Sequence, residues 1–432
     1  MIRTGHVVFL CALGLLTLGV VMVGSAGMEV KPVSPAAGAA SGARVAGPGS
    51  VGEAVAQVVL SKPGLYMALA VLAMCSMAML PLDRWFAGMR AVGVGGARSG
   101  RGGIGLAALG VGTLVLVGIV ATAYVPGLSH TVNNSRRWIA VPGLSGLTIQ
   151  PSEFAKWGLI VVLAVYGAWR AVAMRKFWKG LVPGLLAVAA VGGVIAHQDL
   201  GTGVLVVCAG SAVLLAAGAR WWQFALFIPA MAAGVVALIV ANPYRLTRIE
   251  TFFDPYVQPR GAGYHMIQSM VAVSGGEGTG RGLGFGLQKY GYLPEDTTDF
   301  LFAIICEELG IVGAVGVIGV FIVLLWSGLT IVRRQQAPVL KLFGLGVLTT
   351  IGLQALINLA VVTGLGPTKG IALPLVSSGG TGWILTAASI GLLIAMDPEV
   401  EEAAAEEAGE HGGGPLVEVE AAPAGAPVLA GT

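Results

Sequence analysis

Long apolar runs recur throughout the chain and limit the folds that it can adopt. A helix of about 20 apolar residues spans the hydrocarbon core of a bilayer. Ten runs near this length lie at residues 7–26, 63–82, 104–126, 151–169, 180–196, 200–218, 222–241, 299–325, 342–363 and 380–396. Hydrophobic residues make up 56% of the chain and charged residues only 11%, and the mean hydropathy is +0.84, a composition outside the range of soluble domains. The sequence therefore predicts an all-α polytopic membrane protein with about ten transmembrane helices.

The cations of the short loops predict the side of the membrane on which each loop lies. Lys and Arg collect on the cytoplasmic side, and an N-terminus in the cytoplasm places most of them there, including Arg84, Arg175, Lys176, Arg333 and Arg334. Both termini are then cytoplasmic, and the large loop 242–298 between helices 7 and 8 is extracytoplasmic. The formal net charge of +3 gives no support for a nucleic-acid partner.

Composition divides the chain into three parts. Residues 1–62 are interpreted as a first transmembrane helix and a flexible outer loop rich in Pro, Gly, Ala and Ser, although the small residues 25–27 would also suit cleavage of a signal peptide. Residues 63–396 form the transmembrane core. Residues 397–432 carry many Glu and no Lys or Arg, which predicts a disordered acidic cytoplasmic tail.

The large outer loop concentrates the polar groups that chemistry or recognition would need, including Arg245, Arg248, Glu295 and Asp299. Its glycine-rich run 275–282 superficially resembles a phosphate-binding loop, but it lacks Gly-Lys-Ser/Thr and follows no predicted strand. We interpret this run as a flexible connector or as a close approach of the backbone to a ligand.

Other outer segments add candidate groups. Arg136 and Arg137 carry guanidiniums that can bind phosphate, although residues 134–139 would equally suit a plain interfacial anchor. Glu153 and Lys156 lie three residues apart at the start of an apolar run, which predicts an ion pair that shapes a cavity. Asp199 is predicted to cap the helix that follows it.

Two further segments bear polar residues near or inside apolar runs. Residues 367–381 combine prolines, hydroxyl groups and one cation, and Lys369 and Ser377 are candidates for contact with a polar headgroup. Glu307 and Glu308 follow Asp299 on a predicted helix, too deep to reach a headgroup sugar. At least one of them is predicted to hydrogen-bond between helices.

Seven collinear motifs together resemble the SEDS family, the shape, elongation, division and sporulation proteins that include FtsW, RodA and SpoVE. They are residues 135–139 (SRRWI), 150–153 (QPSE) with Lys156, 199–202 (DLGT), 263–265 (GYH) with 268–269 (QS), 293–295 (LPE) with 298–300 (TDF), 307–310 (EELG) and 367–370 (PTKG) with 373–374 (LP). The segments 135–138, 288–289 and 292–295 resemble the division members more closely than the elongation members.

The resemblance implies a peptidoglycan glycosyltransferase of the bacterial cytoplasmic membrane that polymerises lipid II into glycan strands at the outer face. It also implies a class B penicillin-binding protein, a transpeptidase, and other division proteins as partners, and localisation at the septum. A divalent cation, Mg²⁺ or Mn²⁺, is compatible with such a site, its ligands are unknown, and no organic cofactor is expected.

The same resemblance assigns roles to individual residues. The aspartate of the family's Thr-Asp-Phe motif is its proposed catalytic residue, so Asp299 is the expected general base. The expected contacts to pyrophosphate or sugar are Arg136, Arg137, Arg245, Arg248, Lys369 and Ser377. The expected supporting residues are Asp199, Glu295, Glu307 and Glu308, beside the pair of Glu153 and Lys156.

Three alternatives stay open at the level of sequence. Thr297, Thr298 or Asp299 could simply cap the helix that follows. A flippase for lipid-linked precursors would also have many spans, an outer cavity and cations for pyrophosphate. A non-catalytic scaffold that activates a synthase partner is the third. Synthesis of glycan strands from lipid II by the purified protein would separate the enzyme from the other two classes.

Overall fold

The computed structural model describes residues 3–27, 61–82, 101–125, 129–132, 135–140, 148–378 and 380–397. Most of them are helical. The main helices are α1 (Thr4–Ala26), α2 (Lys62–Ala78), α3 (Arg101–Ala121), α4 (Pro151–Trp169), α5 (Val182–Gln198), α6 (Leu200–Ala216), α7 (Ile228–Val240), α8 (Pro243–Phe253), α9 (Tyr264–Gly275), α10 (Leu301–Arg334), α11 (Pro338–Val362) and α12 (Thr381–Ala395). The predicted acidic tail beyond residue 397 and most of the first outer loop, residues 28–60, lie outside the described residues.

Each of the ten apolar runs contains a helix. By length and composition, six helical stretches of the described chain can cross a membrane: Thr4–Ala26, Gly105–Tyr124, Phe177–Gln198, Trp221–Val240, Leu301–Arg334 and Pro338–Val362. The apolar helices α2, α6 and α12 are shorter. The protein is therefore a multi-pass helical membrane protein, and the count of ten spans stays a prediction.

The helices surround a common apolar core. The first helix, α1, packs on α10 and α12, α12 packs on α2, and α11 packs on α4 and α6. Apolar side chains such as Leu16, Leu163, Val347 and Ile390 are fully buried between them. By contrast, no residue of α7 is buried by the part of the chain that the structure describes, so this helix exposes most of its apolar side chains.

A small sheet interrupts the helical architecture and corrects the expectation of an all-α fold. Strands β1 (Ser129–Val132), β2 (Ser135–Ala140) and β3 (Thr148–Ile149) pair antiparallel in the order β1-β2-β3. The sheet lies between α3 and α4 in the chain, where β-branched and aromatic residues such as Thr131, Trp138 and Ile139 favour strands. Its position matters for function because β2 carries Arg137.

The long helix α10 is broken at Gly310, whose φ of 66° and ψ of −160° are not helical. The break leaves backbone groups of α10 without their usual partners within the helix. Residues of the preceding glycine-rich loop hydrogen-bond to these groups instead. The amide of Arg281 donates to Glu307 O at 3.0 Å, the amide of Gly282 donates to Glu308 O at 2.9 Å, and Ile311 N donates to Glu277 O at 3.1 Å. Such a break is tolerated within a membrane protein when other protein groups satisfy it.

The break also explains why the loop is rich in glycine. A Cβ at Gly280, which has a φ of 80°, would collide with the backbone of Glu308. The backbone of run 275–282 does make a close approach, but its partner is the backbone of α10 and not the ligand that the sequence suggested. It also changes the expected position of Glu307 and Glu308, which belong to a separate nine-residue segment of α10, 301–309, rather than to a straight span.

Candidate active site

Asp299 lies in a turn just before α10. The N-cap of this helix is Phe300, and no described side chain caps it, so the interpretation of Thr297, Thr298 or Asp299 as its cap is wrong. The turn is instead organised by Glu295, whose carbonyl accepts the amides of Thr298 and Phe300, each at 3.2 Å. Glu295 has a φ of 58°, in the left-handed region that non-glycine residues adopt mainly at tight turns and functional sites.

Two other segments hold the turn from outside. Asn358 of α11 donates its side-chain amide to the carbonyl of Asp299 at 2.8 Å and to the carbonyl of Ile371 at 2.7 Å. The amide of Ser378 donates to Thr297 O at 3.1 Å. The turn is thus fixed between α11 and segment 371–378, which presents Asp299 in one orientation.

The carboxylate of Asp299 lies against the backbone of Gly370, where a Cβ would be only 2.7 Å from Oδ2. Burial raises the pKa of Asp299 to about 7, and the negative charges of Glu295 and Asp199 act in the same direction. Arg137 and Arg248 oppose this rise. Near neutral pH the carboxyl is therefore divided between its two protonation states and can both take up and release a proton.

Arg248 and Lys369 form the cationic side of the site. Arg248 donates to Thr368 O at 2.9 Å and to the hydroxyl of Tyr244, and its guanidinium lies 4.6 Å from the centre of the Tyr244 ring. Burial is the main cause that lowers the pKa of Lys369. The neighbouring Arg245 and Arg248 lower it further, whereas Asp199 raises it. Positive charge is therefore concentrated in a partly dehydrated region, where it acts strongly on an anion.

Arg245 is committed to the backbone. Its guanidinium donates to the carbonyls of Ala196 and His197 at 3.1 and 2.7 Å and to Leu238 O at 3.1 Å. It therefore ties the end of α5 to α7 while it adds to the local positive charge.

Arg137 reaches the start of α6. Its guanidinium lies 3.2 Å from Asp199 Oδ2 and donates to Gln198 O at 2.9 Å. Asp199 accepts the amides of Gly201 and Thr202, so it is the helix cap that the sequence predicts. A small cavity beside this pair is lined by Val120, Ala123, Arg137, Pro151, Ser152, Ile195, Gln198 and Asp199. The side chain of the neighbouring candidate, Arg136, lies outside the described residues.

Glu153 and Lys156 form a buried ion pair, with Lys156 Nζ 2.8 Å from Glu153 Oε2. Lys156 also donates to Gln354 Oε1 at 3.0 Å, and Gln354 in turn donates to Ala372 O at 2.9 Å. The pair therefore supports the segment that carries Lys369 and Gly370. It does so through Gln354, which lies one helical turn before Asn358 on α11.

The family model described as "Cell cycle protein", FTSW_RODA_SPOVE, matches residues 106–402. The chain belongs to this family. It is 40% identical to the probable peptidoglycan glycosyltransferase FtsW of Halomonas elongata, over 67% of this chain and 74% of that protein. The FtsW of Alkalilimnicola ehrlichii, also named a probable peptidoglycan glycosyltransferase, is 35% identical over 91% of this chain and 89% of its own length.

Solved structures of the family share the fold. One chain of a peptidoglycan synthase complex, studied for the structural coordination of polymerization and crosslinking, matches with a TM-score of 0.63 and 25% identity, over 91% of this chain and 97% of that chain. The rod shape determining protein RodA of Thermus thermophilus matches with a TM-score of 0.54 and 21% identity, over 91% and 96%.

Within this family member, Ser377 differs from its expected role. It is fully buried, and its hydroxyl oxygen accepts the amide of Leu373 at 3.0 Å. It therefore stabilises the turn 373–377 and does not face a substrate. Glu307 and Glu308 are also buried, and their carboxylates accept backbone amides of loop 284–288.

Three residues near Asp299 were missed as site residues. Gln354 and Asn358 are detectable in the sequence, because they are two side-chain amides four residues apart in an apolar run. His265 belongs to the Gly-Tyr-His motif, to which the sequence assigns no role, and its ring stacks on Phe300 with the ring centres 6.0 Å apart. Burial and Arg248 lower the pKa of His265, and Glu295 opposes them, so the imidazole beside the site is mainly neutral at pH 7.

A metal ion at this site would need some of its ligands from a substrate, because the described part of the protein supplies too few. Across the described ranges, no three or more His, Cys, Asp or Glu residues are grouped so that they could hold one. Glu295 does supply a carboxylate whose negative charge acts on Asp299, beside the cations. Mg²⁺ is commonly held by one or two carboxylates together with substrate phosphates, so this donor set fits such an ion.

Proposed function

We propose that this chain is a peptidoglycan glycosyltransferase that polymerises lipid II at the outer face of the cytoplasmic membrane, with Asp299 as general base. The observation that carries the proposal is the site itself: one buried carboxylate, fixed on three sides, lies within the electrostatic influence of Arg137 and Arg248, and Lys369 adds a further cation near Arg248. The relatives named FtsW carry the name of this activity and support the same conclusion.

The reaction joins two lipid-linked sugars. A hydroxyl of the acceptor sugar attacks the anomeric carbon of the donor and forms the new C–O bond, while the bond from that carbon to pyrophosphate breaks. Asp299 takes the proton of the attacking hydroxyl, a role that typically contributes about 10² to 10⁴ in rate. One displacement inverts an α-linked donor into a β-linked product, so a second carboxylate acting as covalent nucleophile is not needed.

The cations stabilise the leaving group. Charge develops on an oxygen of polyprenyl pyrophosphate as the bond breaks, and positive groups already in place lower the energy of that state. Arg248 acts on Asp299 from segment 243–253 and Arg137 acts on it from β2, whereas Lys369 of segment 367–374 lies near Arg248. A divalent cation held by Glu295 and the phosphate oxygens would supply further positive charge to the leaving group and would leave Asp299 free to take the proton.

We assign the chain to the division branch, with the septum as its place of action. The support is that relatives named FtsW share 35 to 42% identity with this chain, and that segments 135–138, 288–289 and 292–295 resemble the division members. Because the synthase complex joins polymerization to crosslinking, we propose a class B penicillin-binding protein as the partner.

Asp299→Asn tests the proposal directly. Asn keeps the size of the side chain but is a far weaker base, so we expect loss of lipid II polymerisation by at least about 10² while the protein folds and binds its partner. Asp296→Asn is the matched control, because this neighbouring carboxyl also has a pKa raised, to about 6, mainly by burial. We expect it to retain activity.

The same assay separates the other function classes. Purified protein with no other polymerase present should make glycan strands from lipid II. A flippase would translocate lipid II without product, and a scaffold would do neither. Polymerisation by folded Asp299→Asn near the wild-type rate would remove Asp299 from the mechanism.

A further inference from the structure

A buried polar cluster joins α1 to the loop that leads to Asp299. Lys289 Nζ lies 2.9 Å from Glu308 Oε1, and both side chains have no exposed surface. The hydroxyl of Ser25, at the end of α1, lies 2.9 and 2.8 Å from the two carboxylate oxygens of Glu308 and accepts from Lys289 at 3.2 Å. We call these three residues the Ser25 cluster.

Backbone amides complete the surroundings of the cluster. Gly284 and Gly286 donate to Glu308 at 3.0 and 3.3 Å. Leu287 and Gln288 donate to the adjacent Glu307 at 2.8 and 3.1 Å. A Cβ at Gly286 would be 3.0 Å from both carboxylates, so glycine permits this close approach. The backbone of loop 284–288 therefore wraps around the carboxylates of Glu307 and Glu308 and donates hydrogen bonds to both.

The cluster brackets Asp299 in the chain. Lys289 precedes it by ten residues and Glu308 follows it by nine. Their ion pair closes segment 289–308 into a loop that carries Asp299 near its middle. Glu308 lies on the same helical segment, 301–309, that begins immediately after the Asp299 turn, so a shift of Glu308 would move the residues that adjoin this turn.

Stability alone is a weak reason for such an arrangement. Burying two charges is costly, and a buried ion pair often stabilises a fold no more than apolar residues of the same volume would. What this pair adds is a defined geometry, because its hydrogen bonds join three segments that are far apart in the sequence.

We propose that Ser25, Lys289 and Glu308 are positioning residues for glycosyl transfer, and that α1 acts through Ser25 to set the location of Asp299. This inference rests on the proposed role of Asp299 as general base. It gives the first helix a part in catalysis beyond its place in the membrane. Misplacement of a catalytic group by about 1 Å can lower a rate about 10²-fold.

The test uses the purified full-length protein bound to its partner. We expect Ser25→Ala to lower kcat for lipid II polymerisation about 10- to 100-fold, with KM and thermal midpoint close to those of wild type. Ser25→Thr, which keeps the hydroxyl, should recover most of kcat. Thr17→Ala is the matched control, because Thr17 lies on the same helix and its hydroxyl donates to Leu13 O, within its own helix, on an exposed face. It should leave kcat unchanged.

The opposite result is equally clear. Wild-type kcat in folded Ser25→Ala, or a loss of kcat that only follows the fraction of folded protein, overturns the positioning role. If Ser25→Thr does not fold, the kcat of Ser25→Ala relative to that of Thr17→Ala is sufficient to test the positioning role. Asp299→Asn is measured in parallel: its inactivity beside an active Ser25→Ala rejects only the positioning role, whereas its full activity rejects the proposed base.

Discussion

The carboxylate of Asp299 and the α-carbon of Gly370 are in such close contact that no side chain fits between them: a Cβ at residue 370 would be 2.7 Å from Asp299 Oδ2. Gly370 does not have a positive φ, so alanine could adopt its backbone conformation without strain. The contact itself is the reason for glycine at this position.

Gly370→Ala should therefore displace Asp299 and lower polymerisation of lipid II about 10²-fold with little change in thermal stability. The measurement is kcat with the purified complex, alongside a thermal midpoint. Gly234→Ala is the control, because a Cβ at Gly234 of α7 meets no described atom within 4 Å. Full activity of Gly370→Ala would mean that this contact does not set the position of the base.

The pH dependence of polymerisation should report Asp299. A general base must be ionised, so kcat is low below the pKa of about 7, rises with pH through it and reaches a plateau above it. Glu295 raises this pKa and Arg248 lowers it. Glu295→Gln should therefore move the midpoint of the profile to lower pH, and Arg248→Gln should move it to higher pH. Rates are measured at saturating lipid II, and a profile that both variants leave unmoved would assign the titration to another group.

The guanidiniums of Arg137 and Arg248 should matter for the leaving group. Replacing either by Ala should lower kcat/KM for lipid II about 10²- to 10³-fold, as removal of a preorganised donor does in other enzymes. Arg260→Ala is the matched control, since Arg260 lies in the same outer loop as Arg248 and is exposed to solvent. If folded, partner-bound Arg137→Ala and Arg248→Ala both polymerise at the wild-type rate, the pyrophosphate is bound elsewhere.

The pair of Glu153 and Lys156 should behave as a unit. Glu153→Lys or Lys156→Glu alone leaves like charges together in a buried site and should destabilise the protein by about 3 to 5 kcal/mol. The double exchange restores opposite charges and should recover part of the lost stability and activity. Thermal midpoints and polymerisation rates of the four proteins give the coupling. Additive losses in the double variant would contradict a paired role.

Local sequence patterns predicted the helices, one ion pair and one helix cap. Each of the ten apolar runs located a helical segment, the spacing of Glu153 and Lys156 matched their ion pair, and Asp199 stood where a helix cap was expected. Each of these features depends on neighbours within four residues, so the sequence contains it directly.

Other features depend on distant segments and left no comparable signal. The chain has 67 glycines, so nothing marks Gly310 as the residue at which α10 breaks. The break requires the backbone of residues 277–282, and the burial of Lys289 requires Ser25 from the other end of the chain. Asn358 was detectable as a polar residue in an apolar run, but its partner, the carbonyl of Asp299, was not.

The break at Gly310 has a consequence for biogenesis. A nascent segment 301–334 that enters the bilayer without its loop has no external donors, and it can satisfy its backbone only by continuing the helix through Gly310. The bent form requires loop 277–282 and α9 to be already docked. The geometry around Asp299 is therefore acquired during the assembly of the helices, after insertion, and a variant that inserts with normal topology can still lack a formed catalytic centre.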